Sequence, residues 1–442
     1  MSRLKSLSLV IALSMVFVGC FTTTVTDLSL GMWGEDNSSG RDLIRGWGSL
    51  FVLSRTYANS PSGSFALSRF NPGTGKLNKG PTPGGWGFGL VDATPPYTDP
   101  EALGWVGWEP PTGGSSHTPT SVSVHAGSNR FFVTGSAVSP GGTAAAFSTI
   151  NSTDGSLDIN TSFSVSEWYN VGDAPGEDIR VVGSDVFVFG PAVVASGDNL
   201  LWVGKFDLSG NVDHSFGDAC TIGNPPPCVS TGFLAVDTGF TFATYGDGAI
   251  DSGEAYIVAR VGDSGTEGRI QVTHHDITNG TSKGILLTDG GPTDDYTPEA
   301  LAIQPDGKIL VAGYEGSGAD TSMFIIRYTV LGARDATFGT GGKVTLDLST
   351  GVDEIKDIAV LASDKIFVVG RTGPNGLTDG FSARYTETGV LDTTYSATGY
   401  QITTVTGVSN VTFNAVNTYS TPIATGNADD DIVLTYLEDQ TP

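Results

Sequence analysis

The sequence predicts an all-β ring: a seven-bladed β-propeller of four-stranded antiparallel blades, closed by a strand from the N-terminal end. Three observations predict it. Residues 297–348 read as four short strands in succession, the pattern recurs at a nearly fixed spacing, and the last unit lacks a strand that residues 22–30 supply. Within 297–348, apolar residues alternate at Ala300 and Ala302 and again at Ile309 and Val311, with a Pro305-Asp306-Gly307 turn between the two runs. That is strand–tight turn–strand grammar. A loop at 316–320 leads to a third run at 323–328, and 343–348 reads as a fourth. Four short antiparallel strands are the size of one propeller blade.

The repeat is counted on its second and third strands. An apolar run ends in glycine at Gly135, Gly190, Gly313, Gly370 and Gly426, with gaps of 55, 123, 57 and 56 residues. The double gap hides one divergent copy, at 254–260, and residues 49–54 are a seventh. The third strand closes on Arg69-Phe70, Thr149-Ile150, Lys205-Phe206, His274-His275, Arg327-Tyr328, Arg384-Tyr385 and Thr435-Tyr436. The units are 42–92, 118–163, 176–237, 241–289, 297–348, 354–404 and 411–437 plus 22–30, with an insertion at 93–117. After 431–437 the chain ends without a fourth strand, and Thr-Thr-Thr-Val-Thr-Asp-Leu-Ser-Leu at 22–30 looks like the missing piece. Closure in this way removes two open sheet edges, which would otherwise template aggregation. A six-bladed ring is the alternative if one weak unit is discounted.

Gln304-Pro305-Asp306-Gly307-Lys308, Val311-Ala312-Gly313, Arg327-Tyr328 and Phe338-Gly339 leading to Gly341-Gly342-Lys343-Val344 form the best copy. This copy resembles the delta-60 repeat family of bacterial exported and surface proteins. Residues 354–404 match well, 176–217 fairly, and the remaining units by pattern. The resemblance implies a propeller-like array and carries over no catalytic residue.

The N-terminal end reads as an address. Arg3 and Lys5 precede an apolar run at 7–18, too short for a comfortable membrane span, and Phe17-Val18-Gly19-Cys20 follows. The stretch resembles the lipobox of bacterial lipoproteins, which implies removal of 1–19 and lipidation of Cys20. Residues 20–442 then form a single propeller domain at the cell envelope, on the outer membrane if the cell has one, because Phe21 is not the aspartate associated with inner-membrane retention. Ring closure puts residue 22 on the face of the Asp-Gly-Lys turns, so that face is expected to point at the membrane. Cys220 and Cys228 enclose Thr-Ile-Gly-Asn-Pro-Pro-Pro, and in an oxidising compartment a loop disulfide is the expected state.

The full chain carries a formal charge of −25, and loss of 1–19 removes two positive charges and no negative one. Such a field repels phosphate backbones and anionic lipid, which excludes nucleic acid as a partner class. The membrane is then met through the N-terminal lipid alone.

Candidate ligand-binding residues are Trp86, Tyr97, Trp105 and Trp108, in or beside the insertion. Flat rings on a proline-stiffened loop bury much area at small entropy cost, and the insertion is expected on the outward face. The competing reading is that these rings plug the mouth or cover a blade edge. Gly262-Asp263-Ser264-Gly265 copies a serine-protease nucleophile sequence but falls where a hairpin turn belongs. His274 and His275, adjacent on a strand, point to opposite faces and would not share one ion. Acidic turns at 247–251, 294–295 and 429–431 leave calcium as a possible cofactor, none being a full calcium loop. The recurrent cations at 69, 205, 327 and 384 read as blade-to-blade polar contacts. No catalytic or metal set is legible. The function expected is non-enzymatic binding of a protein or glycan, with a glycan-processing enzyme using channel carboxylates, or an envelope scaffold, as alternatives.

Overall fold

The computed structural model describes residues 11–12, 25–28, 39–56, 64–70, 89–90, 105–108, 116–139, 142–163, 171–194, 199–217, 232–316, 318, 320–374, 376–418, 422–429 and 431–437. They form a seven-bladed propeller, each blade built on four antiparallel strands, here termed a to d from the channel outward. The a strands are Ser39–Gly46, Ser116–His125, Asp178–Val182, Phe242–Asp251, Tyr296–Ile303, Val352–Val360 and Val411–Asn417. Each packs beside the next around the channel, and the seventh packs beside the first.

The ring closes as the sequence predicts. Val25–Leu28 pairs antiparallel with Asp431–Tyr436, Val25 opposite Thr435 and Leu28 opposite Ile432, and so serves as strand d of the seventh blade. Ile11–Ala12 adds a short strand at its outer edge.

Alternation along the b strands explains how flat blades become a ring. In blade 5, Ile309 and Val311 enter a core shared with blade 4, while Leu310 and Ala312 enter one shared with blade 6. Period-2 alternation sends successive side chains to opposite faces, and here both faces are covered. The same logic gives seven apolar cores, one at each blade junction. The seventh joins Leu43, Leu50, Val52 and Phe70 of the first blade to Ala415, Ile423, Ile432 and Leu434 of the last. Each fully buried large side chain contributes about 1.5–3 kcal/mol.

The first blade departs from expectation. Its d strand is Trp105–Trp108, paired with Ser64–Phe70 and flanked by Gly89–Leu90. The extra chain therefore falls in sequence between strands c and d of this blade and not between blades; the unit runs from 39 to 108. Trp108 is fully buried, edge-on to Phe65 at 5.7 Å, and its Nε1 donates to Ser148 Oγ at 2.9 Å across the junction with blade 2. This corrects its assignment as an exposed ligand-binding ring. The sequence showed an aromatic-rich, proline-flanked stretch, which a surface loop and a blade's outer strand share. Trp86, Tyr97, Cys20, Cys220 and Cys228 lie outside the described residues, as does the side chain of Trp105.

Candidate functional site

The glycine used to count the repeat has a second meaning. A Cβ on Gly135, Gly190, Gly313, Gly370 or Gly426 would fall 1.8–2.3 Å from a carbonyl oxygen of the neighbouring a strand or, in blade 3, of the segment leading into it, at Thr118, Pro175, Thr297, Glu354 and Thr412 respectively. Side chains cannot be accommodated there, so the glycine lets the a strand bulge over it. The register shifts at Pro119/Ser121, Pro298/Ala300, Ile355/Asp357 and Phe413/Ala415, and also at Gly40/Asp42 and Tyr245/Asp247 in the two blades without that glycine. A bulge leaves one residue unpaired and re-aims its side chain. The unpaired residues are Arg41, Thr120, Gly246, Glu299, Lys356 and Asn414, with Glu177 in the matching position of blade 3. All seven line a central cavity of about 390 Å³.

The residue after each bulge forms a second tier: Asp42, Ser121, Asp178, Asp247, Ala300, Asp357 and Ala415. Its carboxylates knit the blades. Asp42 accepts from Val122 N of the next blade at 2.8 Å, Asp247 from Leu301 N at 2.8 Å, and Asp357 from Val416 N at 2.7 Å. Each also accepts from the amide that follows it in its own strand. Ser121 Oγ donates to Asp178 at 2.7 Å and stands 3.1 Å from Asp42. The remaining junctions are bridged by Arg180 with Asp247 at 3.5 Å, Lys356 with Glu299 at 3.0 Å, and Asn414 Nδ2 donating to Gly40 O at 2.7 Å. Every blade boundary around the channel thus carries a polar joint.

Electrostatics set these groups apart. Burial pushes Asp178 and Asp357 up to about 7 and Asp247 to about 6, and raises Asp42. Arg180, paired with Asp178 and reaching Asp247, opposes the shift in all four. Burial works against the Arg180 charge as well, but Asp178 and Asp247 more than offset it and hold it protonated. Glu177 is raised to about 7, mainly by burial, with Arg41 opposing and Asp178 reinforcing. Asp178 Oδ2 and Tyr245 Oη, both lining the cavity, have no hydrogen-bond partner among the described residues, although buried polar atoms are ordinarily satisfied. Near neutral pH the cavity therefore holds a mixture of protonated and ionised carboxyls beside fixed cations. It can donate and accept hydrogen bonds, and Glu177 is poised to exchange a proton.

Sequence reasoning missed this tier. It placed Asp247 in an acidic turn, whereas Asp247 stands within an a strand, paired opposite Val258. A signal existed: an aspartate breaks the apolar pattern of strand a twelve or thirteen residues before the b-strand glycine or its equivalent, at 42, 178, 247 and 357.

Other expected features resolve into structure. Residues 263–268 connect strands Glu254–Gly262 and Arg269–Asp276, and Ser264 Oγ meets Thr266 Oγ1 at 3.0 Å. His274 pairs with Glu254 at 3.0 Å, while His275 is wholly buried beside Thr273, its basicity lowered to about 3, chiefly by burial. In the acidic turns, Asp294 accepts from Gly291 N, Asp295 pairs with Arg260 at 2.6 Å, and Asp429 accepts from Ser409 N and Asn410 N. Among the described residues, no three His, Cys, Asp or Glu side chains converge on one point. Arg327 and Arg384 bond Asp335 and Asp392 of their own blades at 2.9 and 2.7 Å, and Arg327 also donates to Glu387 O of the next blade.

Comparison with solved structures returns matches at low identity. An ulvan lyase of a polysaccharide lyase family bound to its saccharide aligns over 94% of this chain and 96% of its own, at 11% identity and a TM-score of 0.49. Drosophila semaphorin 1a, extracellular domains 1–2, aligns over 92% and 87% at 8% identity and 0.44. A Bombyx mori β-fructofuranosidase aligns over 91% and 88% at 8% identity and 0.33. At these scores the neighbours give this chain neither a substrate nor an activity. No curated protein sequence matches the chain. Residues 304–338, the heart of the best repeat copy, match the family described as "domain of unknown function (DUF5122) beta-propeller".

Proposed function

We propose that the protein is a cell-envelope propeller, held by a lipidated Cys20, that binds a glycan in the mouth of its central channel. The observation that carries this is the bulge tier around a cavity in which Asp178 Oδ2 and Tyr245 Oη lack partners. Arg41, Arg180, Lys356 and Asn414 supply donors; Glu177, Glu299 and Asp178 supply acceptors. A polyhydroxylated ligand offers both kinds of group at short spacing without a net charge that the four aspartates of the second tier would oppose, and few precisely placed polar groups suffice to orient it. The lipobox-like Phe17-Val18-Gly19-Cys20 after a short apolar run supports the anchoring.

A second reading, cleavage of that glycan, is favoured by one observation. Glu177 titrates at about 7 and takes no part in the blade joints, so at neutral pH it can deliver a proton to a glycosidic oxygen.

The test is a glycan array probed with the wild-type chain, Glu177→Gln and Tyr245→Phe. Binding to a defined oligosaccharide that both variants lose supports the channel site. Binding that neither variant alters, or no binding to any glycan, rejects it. Release of new reducing or unsaturated ends by the wild type but not by a still-binding Glu177→Gln would establish the second reading.

A further inference from the structure

Nine large apolar side chains are exposed among the described residues: Trp47, Val182, Val193, Ile285, Val330, Leu331, Leu377, Val390 and Ile402. Their places in the fold are not random. Trp47 and Val182 stand at a–b turns, where strands Ser39–Gly46 and Asp178–Val182 end. Val330, Leu331 and Val390 stand at c–d turns, after Ser322–Tyr328 and Asp379–Tyr385. Up-and-down blades put all a–b and c–d turns on one face of the disc. Five of the nine therefore share a face; Val193 and Leu377 lie towards the other, and Ile285 and Ile402 lie on outer strands.

The N-terminal strand of the ring also begins at that shared face. Val25 opposes Thr435, near the end of strand c, so strand Val25–Leu28 starts on the side of the c–d turns. Between Cys20 and Val25 lie five residue steps, at most about 18 Å at full extension. An acyl group on Cys20 would hold this face, and no other, against the bilayer.

We infer that the a–b/c–d face is a bilayer-contacting face, with Trp47, Val182, Val330, Leu331 and Val390 as separate apolar tips resting in the interfacial layer. The inference rests on the lipid-anchoring part of the proposed function and is independent of the channel. Tips on blades 1, 3, 5 and 6 suit a planar partner, because a plane touches scattered points around a rim, whereas a protein partner buries one contiguous patch. Leu331, 84% exposed, and Val390, 61%, occupy glycine-containing turns that need no apolar residue for their own geometry. A tryptophan at such a tip is amphipathic and suited to the headgroup level. The chain's net negative charge selects a zwitterionic surface over an anionic one. The channel mouth on the opposite face then opens away from the membrane.

The test places a nitroxide at Leu331→Cys or, as the opposite-face control, at Leu377→Cys. Both positions are exposed, so neither change disturbs a core. The full chain, recovered from a bacterial host with its acyl group, is reconstituted into phosphatidylcholine vesicles, floated, and its accessibility to oxygen and to a water-soluble nickel chelate is measured. The expected result is a label at 331 that oxygen relaxes several-fold more than nickel, and the reverse at 377. Equal nickel accessibility at both sites in floated protein overturns the contact face while leaving the anchor intact. Failure to float overturns the anchor, and the contact with it.

Discussion

Arg180 is bonded directly to the aspartate tier, and its replacement by methionine should destabilise the fold in a pH-dependent way. Ionised Asp178 and Asp247 face it, the former 6% exposed and the latter 19%. Removing one partner of a buried ion pair costs about 3–5 kcal/mol. Arg180 itself is 36% exposed, so solvent screens part of the interaction and about 2–3 kcal/mol is the expected loss at pH 8. The unfolding entropy of about 2.1 cal/mol/K per residue over about 400 residues converts this to a Tm lowered by about 2–4 °C. Acid changes the sign of the argument. Folded-state values of about 7, 6 and 7 for Asp178, Asp247 and Asp357 lie above the ordinary 3.8, so the folded state binds more protons between about pH 4 and 7. Stability contributed by these groups is therefore full below about pH 4 and lost as pH rises to 7. At pH 5 the aspartates are largely neutral, Arg180 has little to offset, and its own burial opposes it. Calorimetry of wild type and Arg180→Met at pH 5 and pH 8 should show a lower wild-type Tm at pH 8 than at pH 5, and a variant deficit confined to pH 8. Equal deficits at both pH values, or a wild type more stable at pH 8 in the same buffer series, would refute the reasoning.

Three further outcomes are expected. Gly370→Ala sets a Cβ at 1.9 Å from Glu354 O and should cost about 2–3 kcal/mol in urea unfolding, while Gly265→Ala, with nothing within 4 Å, should stay within about 0.5 kcal/mol. Trp108→Ala should cost about 3–5 kcal/mol, and Trp108→Phe, which keeps most of the packing but not the bond to Ser148, about 1 kcal/mol; a neutral Trp108→Ala would restore it as a surface ring. A chain starting at residue 31 loses the strand at Val25–Leu28, leaves Asp431–Tyr436 as an open edge, and should self-associate by light scattering. A monodisperse truncated monomer with an unchanged Tm would count against closure by the N-terminal strand.

The sequence by itself determined the ring. Alternating Ile309 and Val311 against Leu310 and Ala312, a glycine recurring in five of the seven b strands, and a last unit short of one strand are local or periodic features, and local pattern decides strand, turn and repeat number. It also carried the N-terminal closure, because one strand missing at one end and one spare at the other leaves few arrangements. The d strand of the first blade was not legible. Trp105–Trp108 is set by pairing with Ser64–Phe70 across a long connection, and nothing near Trp108 announces that its indole is wanted by Ser148 on the next blade. The channel was likewise decided only by tertiary structure. Asp42, Asp178, Asp247 and Asp357 are scattered carboxylates along the chain; closure of the ring and the bulge over each repeat position bring them to one wall. Their raised pKa values and the hydrogen bonds they accept across blade boundaries come from burial and from neighbours 54 to 80 residues away, and those are properties of the ring, absent from any single repeat.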